Sequence, residues 1–107
     1  MALIEAHIII PVRNNAGIAF SDEDWLELHQ RLASVAGGFT RRGPHLGSWT
    51  DPDDGVEYTE PVFDFEVDIE SWTSAGDFVD IAKWAASHFD QQAIAIKIAG
   101  VPETLSA

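Results

Sequence analysis

The sequence predicts an α+β domain in which a four-stranded antiparallel sheet carries two helices on one face. Three observations lead to this fold class. Residues 62–69 alternate between apolar and mostly acidic side chains, which is the period of a half-buried strand. Apolar residues recur at helical spacing within 25–35 and again within 78–89. The elements follow in the order strand, helix, strand, strand, helix, strand, which is typical of two split β-α-β units.

The first strand is predicted over residues 3–12, where apolar side chains fall on every second position. A helix should begin after Ser21, because a serine oxygen can accept from an early helix N–H and Asp24 stands three residues later. Its apolar stripe consists of Trp25, Leu28, Leu32 and Val35. The pair Gly37-Gly38 supplies the left-handed residue that ends such a helix.

Residues 39–61 are predicted to form a strand, a loop and a returning edge, because Gly43, Pro44 and Gly47 interrupt a regular ladder. The segment Asp51-Pro-Asp-Asp-Gly55 indicates a turn. After the strand at 62–69, Ser74 is expected to open the second helix. The last strand covers 93–99 and is predicted to end at Gly100-Val-Pro102.

This order predicts a β-α-β-β-α-β plait over residues 1–107 as a single domain, with the first and third strands at the centre of the sheet. Its core is formed by one face of the strands against the two helical stripes. The strand residues expected there are Ile4, Ile8, Ile10, Phe63, Phe65, Val67, Ile94, Ile96 and Ile98.

Composition excludes several classes of function. The 107 residues contain no cysteine, so a disulfide scaffold, thiolate metal sites and a cysteine nucleophile are excluded. Six basic residues stand against eighteen acidic ones, a net charge of −12, and most of this charge falls after residue 43. Such a surface repels phosphate, so neither nucleic acid nor an anionic membrane is expected as a partner. With no membrane-spanning run or secretory signal, a soluble cytoplasmic protein is expected.

The face of the predicted sheet turned away from the helices is a first candidate site. His7 of the first strand is expected near Asp64 or Glu66 of the third, since the two strands should be neighbours. A plain solvated face and a surface for a second copy are both consistent with this pattern. The candidate residues of this face are Glu5, His7, Asp64, Glu66 and Lys97.

The predicted loop at 41–60 is a second candidate site, because loops on rigid scaffolds often carry function and Arg, Trp and Tyr are common interface anchors. Its binding candidates are Arg41, Arg42, His45, Trp49 and Tyr58. Trp49 and Tyr58 are also consistent with a simple cross-strand aromatic pair. The acidic segment that starts at Asp51 is favoured as a turn over a calcium loop, because Val62 stands where such a loop needs a bidentate Glu.

No motif assigns a catalytic, metal or cofactor site. The four histidines are far apart in sequence and form no pair with metal-ligand spacing. Glycine-rich phosphate loops and the Gly-x-Ser-x-Gly nucleophile motif are absent as well. We therefore expect no metal, no cofactor and no catalytic residue.

The segments Gly37-Gly-Phe-Thr40, Gly47-x-Trp49, Asp54-Gly55 and Glu60-Pro-Val62 resemble a family of small prokaryotic and phage proteins with the ferredoxin-like plait and no assigned activity. The stretch from Gly47 to Glu60 also resembles the hairpin region of the CutA and PII-like trimers. That resemblance implies a functional loop between the second and third strands and a trimer with clefts between subunits. The nucleotide-binding signatures of the PII-like proteins and the CutA metal-ligating cysteine are missing here, which argues against those ligands.

The sequence thus favours a non-catalytic binding or regulatory module, a homodimer or homotrimer whose 41–60 loop meets a protein or a small molecule. Two alternatives remain. One is a small enzyme like the dimeric α/β-barrel monooxygenases and isomerases, with His7 and the open-face acids in acid–base roles. The other is an acidic mimic of nucleic acid that inhibits a basic factor of phage or host.

Overall fold

The computed structural model describes residues 3–106. The chain forms five strands and two helices, in the order β1 (Ile4–Pro11), α1 (Asp22–Ala36), β2 (Thr40–Thr50), β3 (Glu57–Ile69), α2 (Trp72–His88), β4 (Ala93–Ile98) and β5 (Val101–Ser106). Within the described part of the chain, no helix is long and apolar enough to cross a membrane.

All five strands join one antiparallel sheet in the order β2-β3-β1-β4-β5. The prediction of four strands is wrong because a fifth strand, β5, follows the turn at Gly100. Ala99 and Gly100 have φ values of 52° and 80° and form a two-residue turn. Two positive φ values in succession match the right-handed twist of a tight hairpin, so β5 folds back onto β4.

The core lies between one face of the sheet and both helices. Phe65, Val67 and Ile69 of β3 are buried on this face, as the alternation in the sequence predicts, and Phe63 packs against the same cluster while half-buried. Trp25 of α1 and Phe89 after α2 have ring centroids 5.0 Å apart. Because helix α1, helix α2 and the strands contribute to one cluster, both helices cover the same face of the sheet.

Helix α1 begins and ends as its sequence predicts. The Ser21 hydroxyl accepts from the backbone N–H of Asp24, and the Asp24 carboxylate accepts from the backbone N–H of Ser21. This reciprocal arrangement satisfies donors at the start of the helix. Gly37 ends the helix with a φ of 76°.

Helix α2 begins earlier than predicted. Its N-cap is Ser71, whose hydroxyl accepts from the backbone N–H of Ser74. Ser74, the expected start, is thus the third residue inside the helix. Both serines fit the cap pattern in sequence, and Ser71, two residues after the end of β3, is the one that caps the helix.

The predicted loop at 41–60 is instead a long hairpin. Strands β2 and β3 pair from Thr40 opposite Glu66 to Thr50 opposite Glu57, with a bulge between Arg42 and His45. Gly43, at a φ of 108°, lies in this bulge. Because β2 is exposed along most of its length, its sequence lacks the apolar alternation that would indicate a strand. The connecting turn is confined to residues 51–56.

Candidate functional site

The sheet face away from the helices, called here the open face, carries the odd-numbered residues of β1 and the even-numbered residues of β3. Alternation of side chains along each strand dictates this arrangement. The register places His7 opposite Glu66 and Glu5 opposite Asp68. On the other side of β1, Lys97 lies opposite His7. The neighbourhood expected from the sequence is therefore present.

His7 lies among three carboxylates. Its Nδ1 is 2.9 Å from Oδ1 of Asp64, and because an ionised carboxylate only accepts, the ring donates this hydrogen bond. Its Nε2 is 3.6 Å from Glu5 and 3.7 Å from Glu66. The imidazole side chain is 19% exposed and Asp64 is similarly shielded. Asp64 thereby fixes the orientation of the ring.

Arg42 completes this group from β2. Its Nη1 donates to Oε1 of Glu66 over 2.8 Å. This hydrogen bond is the main reason that the pKa of Glu66 is lowered, with the charges of Arg42 and His7 acting in the same direction. Arg42 was expected in the 41–60 loop, apart from His7. Arg42 lies opposite Asp64 in the register, so one candidate residue of the predicted 41–60 loop joins the candidate residues of the open face.

The other hairpin candidates do not join this cluster. Arg41 lies on the helix-covered face, with its guanidinium 4.5 Å from the ring centroid of Phe63. His45 is exposed opposite Val62. Trp49 and Tyr58 stack across the hairpin at 5.3 Å between centroids, which is the cross-strand pair that the sequence left as an alternative.

The donor atoms of Glu5, His7 and Glu66 lie within 4.8 Å of one another, so these residues could supply one nitrogen and two oxygen ligands to a cation. Oxygen Oε1 of Glu66 is already bound by the Arg42 guanidinium. A second positive charge would compete with Arg42 for this oxygen. The expected absence of a metal site stays a prediction.

The acidic segment after Thr50 is a turn. Asp51 accepts from the backbone N–H of Asp53, and Asp54 accepts from that of Val56. These local hydrogen bonds are the normal role of aspartate in turns. Further along the hairpin, partial burial raises the pKa of Glu60.

One surface feature, an apolar groove, is not indicated by the sequence. An apolar groove of about 370 Å³ lies between α2 and the β4–β5 hairpin, with Trp72 and Val101 at its surface. Because β5 was not predicted, no pattern in the sequence brought these two residues together. A prediction of a fifth strand after Gly100 would have placed Val101 beside α2 and so indicated the groove.

Neither a family model nor a curated protein matches this chain. Solved structures do match. A phage S-adenosylmethionine (SAM) lyase in complex with S-methyl-5′-thioadenosine is similar with a TM-score of 0.73 at 15% identity, over 98% of this chain and 90% of that one. A phage SAM lyase in the apo state is similar with a TM-score of 0.64 at 15% identity, over 97% and 89%.

These matches change the functional interpretation. The prediction of a non-catalytic binding module is wrong, because the solved structures that share this fold are those of an enzyme. They agree with the resemblance to small phage proteins and give no support to the resemblance to CutA and PII-like trimers. The enzyme they name is a lyase rather than a monooxygenase or an isomerase, and the matches do not favour a nucleic-acid mimic.

Proposed function

We propose that this chain is a lyase that acts on a sulfonium nucleoside of the SAM type. The observation that carries the proposal is the similarity to phage SAM lyase, which spans nearly the whole of both chains. A shared fold does not by itself fix the chemistry. The proposal therefore also depends on whether the open face suits such a substrate.

The chemistry follows from the molecule bound in the matched structure. S-methyl-5′-thioadenosine retains the nucleoside, sulfur and methyl group of SAM and lacks its amino acid chain. Cleavage to this product breaks the bond between sulfur and that chain, and the electron pair stays on sulfur. The sulfonium thereby loses its positive charge. Because a lyase adds no water, the departing chain either closes a ring, its own carboxylate oxygen replacing sulfur at the γ-carbon, or forms a double bond as a base takes a proton from its β-carbon.

The open face supports a substrate that carries positive charge. Glu5, Asp64, Glu66 and Asp68 all present carboxylates there, within a chain of net charge −12. Arg42 and Lys97 lie on the same face, so carboxylates outnumber the fixed cations four to two, and a net negative surface raises the local concentration of cationic ligands. A sulfonium nucleoside with a free ammonium group is such a ligand.

The loss of charge during cleavage decides which end of the substrate meets the acids. A carboxylate against the sulfur would stabilise the substrate more than the transition state and would slow the reaction. We therefore assign the carboxylates to the ammonium group and an apolar surface to the sulfur. Ile9 lies opposite Asp64, and Val62 is the next open-face residue of β3, so such a surface adjoins the acidic cluster.

The same assignment gives Arg42 a role. A guanidinium binds carboxylates through paired N–H donors, so Arg42 can bind the carboxylate of the substrate in exchange for Glu66. Glu66, released from Arg42, would then face the ammonium group. His7, held by Asp64, fixes the spacing of the carboxylates around it.

The test is incubation of the purified protein with SAM, followed by quantification of S-methyl-5′-thioadenosine against a blank without protein. Removal of one charged hydrogen-bonding group costs about 1.5–3 kcal/mol, so Glu66→Gln and Arg42→Gln should lower kcat/KM about tenfold or more. Asp80→Asn, an exposed acid on α2, is the matched control and should leave the rate unchanged. Product formation no faster than in the blank would overturn the proposal.

Two further expectations, one on the fold and one on the location, belong to this proposal. The order of β4, β1, β3 and β2 supports a ferredoxin-like plait to which β5 has been added at one edge. The cytoplasmic location expected from the sequence also stays a prediction, consistent with a nucleoside substrate.

A further inference from the structure

We infer that the nucleoside end of the substrate binds on the outer half of the open face, with its base stacked on the Trp49–Tyr58 pair and its ribose hydroxyls bound by Glu60. The inference rests on the proposed function for the class of substrate. It is carried by the order of the side chains along β3 and by the exposure of the two rings.

The open face continues past the acidic cluster toward the tip of the β2–β3 hairpin. From Val62 outward, β3 pairs with β2 in an uninterrupted register, so its even-numbered residues stay on this face. These residues are Glu60 and Tyr58, and their partners on β2 are Gly47 and Trp49. One face therefore presents, in order, the acidic cluster, an apolar side chain, a further carboxylate and two aromatic rings.

This order matches the order of the parts of a sulfonium nucleoside, which are the amino acid, the sulfur, the ribose and the base. With the ammonium group at the acidic cluster and the sulfur at Val62, as assigned above, the ribose falls at Glu60 and the base at Tyr58. Tyr58 lies about 20 Å along β3 from Asp64, because a strand rises about 3.4 Å per residue. An extended substrate spans most of this distance, and the side chains at its two ends cover the rest.

The aromatic pair offers a surface on which a base can stack. Trp49 and Tyr58 have ring centroids 5.3 Å apart and ring planes 23° apart. Each ring covers one face of the other, yet the two residues remain 45% and 43% exposed, so the exposure falls on their outer faces and edges. Strand β1 does not pair beside them, because its pairing with β3 ends at Val62. Exposed aromatic faces of this kind are stacking platforms for bases.

Glu60 supplies the polar contact between the rings and the apolar surface. Its side chain is half-buried. The nearby Glu57 accepts from the Ser48 hydroxyl, whereas none of the described residues donates a hydrogen bond to the Glu60 carboxylate. An ionised carboxylate only accepts, and the two ribose hydroxyls are donors, so the pair is complementary.

The floor beside Glu60 is flat because β2 contributes a glycine there. A Cβ added to Gly47 would lie 3.0 Å from Cγ1 and 3.4 Å from Cγ2 of Val62, so the valine side chain lies over the glycine. The valine and the glycine backbone together form an apolar surface on which the ribose ring can lie.

The experiment measures the binding of S-methyl-5′-thioadenosine by isothermal titration calorimetry. Trp49→Ala removes one ring of the platform and should weaken binding about tenfold or more. Trp49 is outside the core cluster, so the variant should fold. Trp72→Ala is the matched control, because Trp72 is also an exposed tryptophan but lies on α2, away from the open face, and it should leave binding unchanged.

The ribose contact is tested with the 2′,3′-dideoxy analogue of the same ligand. The unaltered chain should bind this analogue about tenfold more weakly than S-methyl-5′-thioadenosine, because a hydrogen-bonded charge is left without its donors. Glu60→Ala should bind the two ligands equally. A variant that still distinguishes them as strongly as the unaltered chain would overturn the assignment of Glu60.

These measurements separate this inference from the proposed function. Turnover of SAM with a KM and a product affinity that Trp49→Ala leaves unchanged would overturn the inference and leave the proposed function standing. Binding of S-methyl-5′-thioadenosine that requires Trp49, without any turnover of SAM, would support the inference and overturn the proposed function. No detectable binding of this nucleoside to the unaltered chain would overturn the inference.

Discussion

His7 and Asp64 lie on neighbouring strands, and the ring N–H at Nδ1 donates to Oδ1 over 2.9 Å. The two residues are diagonal neighbours, since His7 stands opposite Glu66 and Asp64 opposite Ile9. Asp64 therefore turns the imidazole so that Nε2 faces Glu5 and Glu66. A carboxylate that fixes a histidine in this way also fixes which ring nitrogen carries the proton.

Asp64→Asn should disturb the His7 ring without unfolding the protein. An amide accepts more weakly and has its own donors, so the proton is no longer held at Nδ1. We expect the ¹⁵N shift of His7 Nδ1 to change, because its hydrogen bond to the carboxylate is lost, and the turnover of SAM to fall. Asp68→Asn, on the same strand but without a hydrogen bond to His7, should leave the ring unchanged. Identical ring spectra in Asp64→Asn and the unaltered chain would contradict this role.

Arg42→Gln should raise the pKa of Glu66 toward its ordinary value of 4.5, because the hydrogen bond from Arg42 is the main cause of its lowering. A carboxyl with a lowered pKa in the folded state stabilises the fold above its unfolded pKa, and this contribution is lost as the pH falls through the folded value. The variant should therefore lose less stability in acid than the unaltered chain. Carboxyl ¹³C shifts followed against pH measure the pKa directly, and an unshifted Glu66 would refute the assignment.

His29 should make the fold sensitive to mild acid. Burial against Phe39, at 4.4 Å between rings, and the charge of Arg41 lower its pKa, and its Nε2 has no hydrogen-bond partner among the described residues. The unfolded chain then binds the proton first, so stability falls as the pH drops through 6.5, the ordinary value. His29→Phe should flatten this part of the stability profile in urea unfolding. His45 is exposed, so His45→Gln is the control and should leave the profile unchanged. A stability profile that keeps its slope in His29→Phe would show that His29 does not cause the sensitivity to acid.

Ala99→Asn should stabilise the β4–β5 hairpin. Ala99 has a φ of 52°, a conformation that asparagine adopts more readily than alanine, and asparagine followed by glycine is the preferred pair for this turn. We expect a gain below about 1 kcal/mol in the free energy of unfolding, because the left-handed conformation costs most residues about 1–2 kcal/mol and asparagine less. Gly100→Ala, at a φ of 80°, should have the opposite effect. A loss of stability in Ala99→Asn would show that the turn differs from the one described.

The sequence predicted those parts of the fold in which one face is buried. Phe65, Val67 and Ile69 alternate with acidic residues because the core covers only one side of β3, and α1 shows its stripe for the same reason. Strand β2 is exposed along most of its length and β5 is almost as exposed, so neither carries a period that reveals it. The turn at Ala99 also lacks the usual asparagine or aspartate.

The candidate site could likewise be predicted only in part from the sequence. His7, Asp64 and Glu66 could be grouped from the strand order, since β1 and β3 were expected to be neighbours. Arg42 could not, because its approach to Glu66 depends on the bulge at Gly43 and on the pairing of β2 with β3. The groove at Trp72 depends on β5, which was not expected.

The accumulation of S-methyl-5′-thioadenosine from SAM, measured under conditions where SAM greatly exceeds the protein, tests the central claim most directly. The account predicts many product molecules per chain, with a rate that Glu66→Gln and Arg42→Gln reduce and Asp80→Asn does not. Nucleoside that accumulates only at the spontaneous rate, whatever the amount of protein, would contradict it.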